Sequence, residues 1–157
     1  MAAIARDFST VDRKERMAIK SIGLPLRPAA ERIKDFDEAI VRVDEEWARF
    51  EASRCIHCPD PAPCQKACPA GNDISYGMWL IEQGAFIEAN NVYRQTSSLP
   101  EVCGRICPQE RLCEGACVRG KKGEPPVPTG ALEAFATHYA RRNVGVTIPV
   151  GKFTGKK

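Results

Sequence analysis

"CIHCPDPAPCQKACP", residues 55–69, places four cysteines in fifteen positions with the spacing C-x2-C-x5-C-x3-C. A second stretch, "CGRICPQERLCEGAC" at residues 103–117, runs C-x3-C-x5-C-x3-C. Together they hold all eight cysteines of the 157-residue chain, and their shared five- and three-residue intervals make them a weak internal repeat. Thiols this dense have three chemical uses: disulfides, zinc, or iron–sulfur clusters. Disulfides suit oxidising compartments and small secreted scaffolds. The first residues, "MAAIARDFSTVDRKERMAIK", meet charge within six positions and contain no apolar core of a secretion signal. A reducing, cytoplasmic setting is therefore expected, where clustered cysteines bind metal or do redox work. Zinc accepts four thiolates and C-x2-C is a common half-site, but C-x5-C-x3-C is not the usual second half of a zinc ribbon. A 4Fe–4S cube asks for one ligand per iron, and soft thiolates match it. Cys68, the last cysteine of its stretch, and Cys107 are each followed by proline, as Cys58 also is. In two-cluster ferredoxins the cysteine before proline ligates the other cluster. The two runs are therefore expected to be interleaved around their metal.

Outside the cysteines the chain reads as helical. Net charge is +3, too small to argue for nucleic acid. No run approaches the roughly 18 apolar residues of a membrane-spanning helix. Residues 1–30 read as an arm, with Ser9 and Asp12 starting a short helix that runs to about Ile19, broken by Gly23, Pro25 and Pro28. Phe36, Ile40, Val43, Trp47 and Phe50 recur at steps of three and four, predicting a helix over 36–50 with Asp35 and Glu38 at its start. Residues 71–100 predict a helical hairpin. Asn72 or Asp73 caps its first helix, Gly84 stops that helix, and Pro100 breaks the second. Thr129 is expected to cap a last helix carrying Leu132, Phe135, Ala136 and Tyr139. Residues 144–157 have extended character and no evident partner strand. The fold class expected is all-α: a small helical domain over 31–143, with two interleaved cysteine loops, between an arm at 1–30 and a tail or linker at 144–157.

The stretches "RCIHCPDPAPCQKACPAGNDI" and "LPEVCGRICPQERLCEGACVRGKKGEPPVPTGALEAFA", with the hairpin between them, carry a resemblance. They resemble the N-terminal iron–sulfur domain of the glutamate synthase small subunit. The same domain type opens dihydropyrimidine dehydrogenase and the large subunit of NADH-dependent ferredoxin:NADP oxidoreductase. The resemblance implies two 4Fe–4S clusters in crossed ligation. It assigns Cys55, Cys58, Cys64 and Cys117 to one cluster. Cys68, Cys107 and Cys113 hold the second, whose fourth ligand in this family is a Gln or Glu on the final helix, here Glu133. Cys103 is left as a thiol beside the clusters, although by residue type alone it competes with Glu133 as the eighth ligand. The family continues beyond this point into a flavin- and pyridine-nucleotide-binding region. FAD and NAD(P)H are therefore expected on a further domain or a partner, since no G-x-G-x-x-G fingerprint occurs here. The function implied is single-electron transfer between such a flavin site and another redox centre. The alternative is a zinc-binding interaction module with no redox role.

Other residues read more plainly. His57, flanked by Cys55 and Cys58, is expected to sit near a cluster and tune hydrogen bonding there. His138 reads as an ordinary helix residue, and Trp47, Tyr76 and Trp79 as packing. Arg105 and Arg111, inside the second run, are expected to offset thiolate charge. Arg119, Lys121 and Lys122 read as a solvated basic turn.

Overall fold

The computed structural model describes residues 5–145 and 154–155. About 49% of the structure is helical, and among the described residues the only strand-like pairing is a single bridge between Leu26 and Ile40. The all-α expectation agrees with this. The extended character expected of the tail lies almost wholly outside the described residues. In chain order the helices are α1 (Arg13–Ala18), α2 (Ala29–Arg32), α3 (Glu45–Ser53), α4 (Pro63–Ala67), α5 (Ile74–Glu82), α6 (Phe86–Tyr93), α7 (Pro100–Ile106), α8 (Val118–Lys121) and α9 (Thr129–Asn143). A 3-10 turn, Gln109–Arg111, lies between α7 and α8.

The core is built around α5, which buries Ile74, Met78, Leu80 and Ile81 and touches α3, α4, α6 and α9. Each such side chain contributes about 1.5–3 kcal/mol when removed from water. Phe86, Ala89, Val92 and Tyr93 of α6 and Leu132 and Ala136 of α9 complete the cluster. Phe86 meets Phe135 and Tyr139 edge-on, with ring centroids 5.0 and 4.9 Å apart. The hairpin of α5 and α6 turns at Gly84, whose φ of +77° is the left-handed conformation glycine adopts without strain.

Four local expectations need correction. The helix predicted over 36–50 begins only at Glu45, with Asp44 as its cap accepting from Trp47 N at 2.8 Å. The preceding segment pairs instead with residues 25–27: Arg27 N donates to Ala39 O and Val41 N to Pro25 O, both at 2.9 Å. Asp35 does not cap a helix but forms a two-point ion pair with Arg27 at 2.8 and 2.6 Å, and Phe36 is left fully exposed. Ile40, Val41 and Val43 are β-branched, which favours extended pairing over a helix. Pro100 does not end the hairpin into a loop; it is the first residue of α7, where its missing N–H costs nothing. The cap expected at Asn72 or Asp73 is Asp73, which accepts from Tyr76 N, while Asn72 is buried. Thr129 lies inside α9 and its hydroxyl makes no cap. Glu114, from the second cysteine loop, supplies that function by accepting from Gly130 N at 3.0 Å.

Candidate iron–sulfur centre

Two of the three Cys–Pro steps, at Cys68 and Cys107, do the same local work. Cys68 ends α4 and Cys107 ends α7, and each is the C-cap in extended backbone (ψ 120° and 143°). Proline disfavours helical backbone in the residue before it. The helix therefore stops at the thiol, and the chain turns away from it. In the second loop Gln109 Nε2 donates to the carbonyls of Cys103 and Gly104, at 3.3 and 3.1 Å, satisfying groups that the end of α7 leaves open.

The tertiary structure gathers thiols from both stretches. Cys55, just after α3, Cys58 in the loop, Cys64 in α4 and Cys117 at the start of α8 line one cavity, with Ala62, Ile74 and Val127 in its wall. Among the described residues no three or more His, Cys, Asp or Glu side chains converge as a single ion requires. The four thiols line a common cavity. Cys107 neighbours Cys103, Glu133 and Cys68, and Cys113 neighbours Cys68 and Cys64. Cys103 is thus not remote: it lies beside Cys107, with Ser97 Oγ 3.7 Å from its sulfur.

Cys113 and Glu133 are buried, and the other thiols are partly buried. Burial pushes the thiols of Cys55 and Cys58 up, and those of Cys64 and Cys113 to about 12. Burial likewise lifts Glu133 to about 7, against a hydrogen bond from Asn72 Nδ2 to its Oε1 at 3.2 Å. Asn72 is itself held by a short hydrogen bond from Thr96 Oγ1 to its Oδ1. Buried thiols and a buried carboxyl that keep their protons give them up when a cation takes their place. The donor set therefore fits a thiolate-rich metal cluster.

Residues 32–144 match the family model described as dihydropyrimidine dehydrogenase domain II, 4Fe–4S cluster. The chain belongs to this family. It is an iron–sulfur electron-transfer domain and binds a 4Fe–4S centre. It is 44% identical over 114 residues to the glutamate synthase [NADPH] small chain of Azospirillum brasilense, covering 73% of this chain and 23% of that one. It is 40% identical to the corresponding chain of Halomonas elongata, with coverages of 73% and 24%. With the NAD-dependent dihydropyrimidine dehydrogenase subunit PreT of Escherichia coli K12 it shares 38% identity, with coverages of 68% and 26%. The chain thus spans about a quarter of the length of these relatives. No helix among the described residues is long and apolar enough to cross a membrane.

This member of the dihydropyrimidine dehydrogenase domain II family also has an arm that precedes the matched residues, and the arm is built into the site. Arg13 donates to the carbonyls of Ile56 and His57, both at 3.2 Å. Arg16 donates to the carbonyls of Ser53 and Cys55, at 2.8 and 3.1 Å, and to both carboxylate oxygens of Glu82, each at 2.8 Å. Phe8 stacks on the His57 ring with centroids 4.3 Å apart, and Trp79 meets the same ring edge-on at 5.5 Å. His57 is fully buried at φ +45°, and its ring faces the arm, Ser75 and Glu82. It is not part of the cavity wall that the four thiols share.

In the basic turn Lys121 and Lys122 are exposed as expected, but Arg119 needs correction. Arg119 is 1% exposed and donates to the carbonyls of Arg16 and Ile19 at 2.7 and 2.6 Å, and to that of Arg54 at 3.4 Å. Arg54, equally buried, pairs with Glu51 at 2.5 Å and donates to the carbonyls of Pro125 and Pro126. Arg105 engages Glu38 and Glu101 rather than the thiols. The cations whose charge reaches the first thiol set are Arg13, on Cys58, and Arg119, beside Cys117. Sequence spacing gave no signal for either. Replacing Arg16 by alanine is expected to free the arm, since it removes charge-assisted bonds worth about 1.5–3 kcal/mol each. Amide exchange across residues 5–22 should rise roughly tenfold or more while α5 and α9 stay protected. Unchanged exchange in the arm would refute this role.

Proposed function

We propose that this domain carries single electrons through two 4Fe–4S clusters. The first is held by Cys55, Cys58, Cys64 and Cys117, the second by Cys68, Cys107, Cys113 and Glu133. The observation that carries the reading is the shared cavity wall of Cys55, Cys58, Cys64 and Cys117, which brings three thiols of one sequence stretch to the last thiol of the other. A zinc site needs all four sulfurs about 2.3 Å from one point. Four thiols around a space suit a ligand with one corner for each. The clusters, when bound, supply one-electron storage. The protein's part is to hold them apart from water and to set the charge around them. In this reading residues 31–143 are the two-cluster domain, 1–30 its covering arm, and 144–157 a tail or linker.

The relatives' greater length supports a flavin-containing domain or partner in a larger cytoplasmic oxidoreductase of the glutamate synthase type, with FAD and NAD(P)H bound there. Its approach is expected along α7. Leu99, Val102 and Ile106 recur there at steps of three and four and are 62%, 44% and 75% exposed, next to Cys103 and Cys107. Such an apolar stripe suits a covered surface.

The test is anaerobic reconstitution. Two cubes require about eight irons and eight sulfides per chain, a brown colour, and bleaching by dithionite. Cys103→Ala is expected to keep all of its iron. Glu133→Ala is expected to change the EPR signal and potential of one cluster only, since ligand identity is a lever on potential. Iron lost from the Cys103 variant, with the Glu133 variant unaltered, would make Cys103 the ligand. A colourless protein with stoichiometric zinc would overturn the proposal.

A further inference from the structure

Tyr93, the last residue of α6, is 0% exposed, and its hydroxyl is buried with no hydrogen-bond partner among the described residues. A buried hydroxyl left unpaired costs about 1–3 kcal/mol, and a buried tyrosine normally finds a partner. Phenylalanine would fill the ring's space without that cost. The surroundings are shaped to this phenol. Gly77 of α5 faces it, and a Cβ there would collide with the hydroxyl and stand 2.5 and 2.6 Å from Cζ and Cε1. Any other residue at 77 would push the hydroxyl out of its place. The ring belongs to the same packed cluster as Cys113, against which Cys55, Cys64, Cys68 and Cys117 also rest. The charged or chargeable groups that act on the hydroxyl are Glu133, Cys55, Cys64 and Cys113, drawn from both ligand sets. None of these side chains bonds to it.

We propose that the Tyr93 hydroxyl donates a hydrogen bond to a sulfur of the bound iron–sulfur centres, where the two ligand sets meet. This makes Tyr93 a positioning residue that raises the potential of the cluster it faces. The inference rests on the ligand assignment above. The physical direction is set by charge. Reduction adds negative charge that spreads onto the cluster's sulfurs, and a donor aimed at sulfur stabilises the reduced form more than the oxidised one. The phenol remains a donor throughout, and neither its bonds nor its electrons change.

The experiment is Tyr93→Phe in the full chain, reconstituted anaerobically beside the wild type. Iron and sulfide are counted in both, midpoint potentials are followed by EPR, and thermal stability is measured. The variant is expected to keep its full iron and sulfide. One cluster should become roughly tenfold harder to reduce, which is about 59 mV for one electron. Its melting temperature should fall. Gly77→Ala, which displaces the hydroxyl and leaves the phenol in the chain, should shift the same cluster in the same direction. Equal potentials in Tyr93→Phe with full iron in both proteins would overturn the inference alone. So would a rise in melting temperature, the result expected when a truly unpaired hydroxyl is removed. A wild-type chain that takes up no iron would overturn the ligand assignment as well.

Discussion

Cys117→Ala is expected to cost the protein one whole cluster. Cys117 belongs to the second cysteine stretch, yet it shares its cavity with Cys55, Cys58 and Cys64 of the first. In the proposed assignment its loss would remove one corner of that ligand set and one of the two metal-mediated links between the stretches, the other being through Cys68. Bound iron should fall from about eight to about four per chain, with one set of EPR signals lost and the other kept. The fold should weaken as well. A cross-link closing a loop of this length is worth on the order of 3–5 kcal/mol, and metal-mediated links add their binding energy to folding. The loss should be felt first around α8, where Arg119 joins the arm to Arg54. Iron content unchanged from the wild type would remove Cys117 from the site. Loss of both clusters together would show that the two ligand sets form one cooperative unit.

Gly104→Val is expected to be the most damaging change that touches no thiol. α7 packs along α9, and Gly104 lies at their contact. A Cβ at this position would stand 2.6 Å from Ala134 N and 2.7 Å from Gly130 O. Both are backbone atoms of α9 and cannot swing aside, so the helices must separate. Overpacking of this kind costs about 1–3 kcal/mol, and more where backbone must move. The consequence for function follows from position. Cys103 precedes Gly104, Cys107 ends the same helix, and Glu133 precedes Ala134 on the facing one. Prying α7 from α9 should pull Cys107 away from Glu133 and leave the cavity of Cys55, Cys58, Cys64 and Cys117 intact. The expected result is a lower melting temperature with selective loss of the second cluster's signals. A variant with wild-type stability and both clusters would show that α7 can move without cost.

The extent to which the sequence was legible differs by residue and for definite reasons. Cysteine spacing and the Cys–Pro steps at Cys68 and Cys107 are local, and a proline's effect on its predecessor is steric. The loop geometry around Cys68 and Cys107 therefore follows from two adjacent residues. The hairpin of α5 and α6 was equally open, because an apolar period and a glycine stop are local too. The helix predicted over 36–50 misled for the opposite reason. Its apolar period was real, but residues 25–27 offered the backbone of 39–41 a partner, and a helix cannot form where its N–H and C=O groups are already bonded elsewhere.

The amino-acid order carries the helical class, the family and the set of thiols available to metal, and the family resemblance already groups Cys117 with Cys55, Cys58 and Cys64. Folding alone brings in the distant groups around these thiols. They are Glu114 as the cap of α9, the arm's Arg13 and Arg16 on the first cysteine loop, Arg119 buried rather than solvated, and Tyr93 against Gly77. Each is a contact between segments far apart in the chain. Such contacts leave no period and no spacing to read, because what selects them is the unmet hydrogen-bond or charge requirement of a buried group, and burial exists only once the chain has folded.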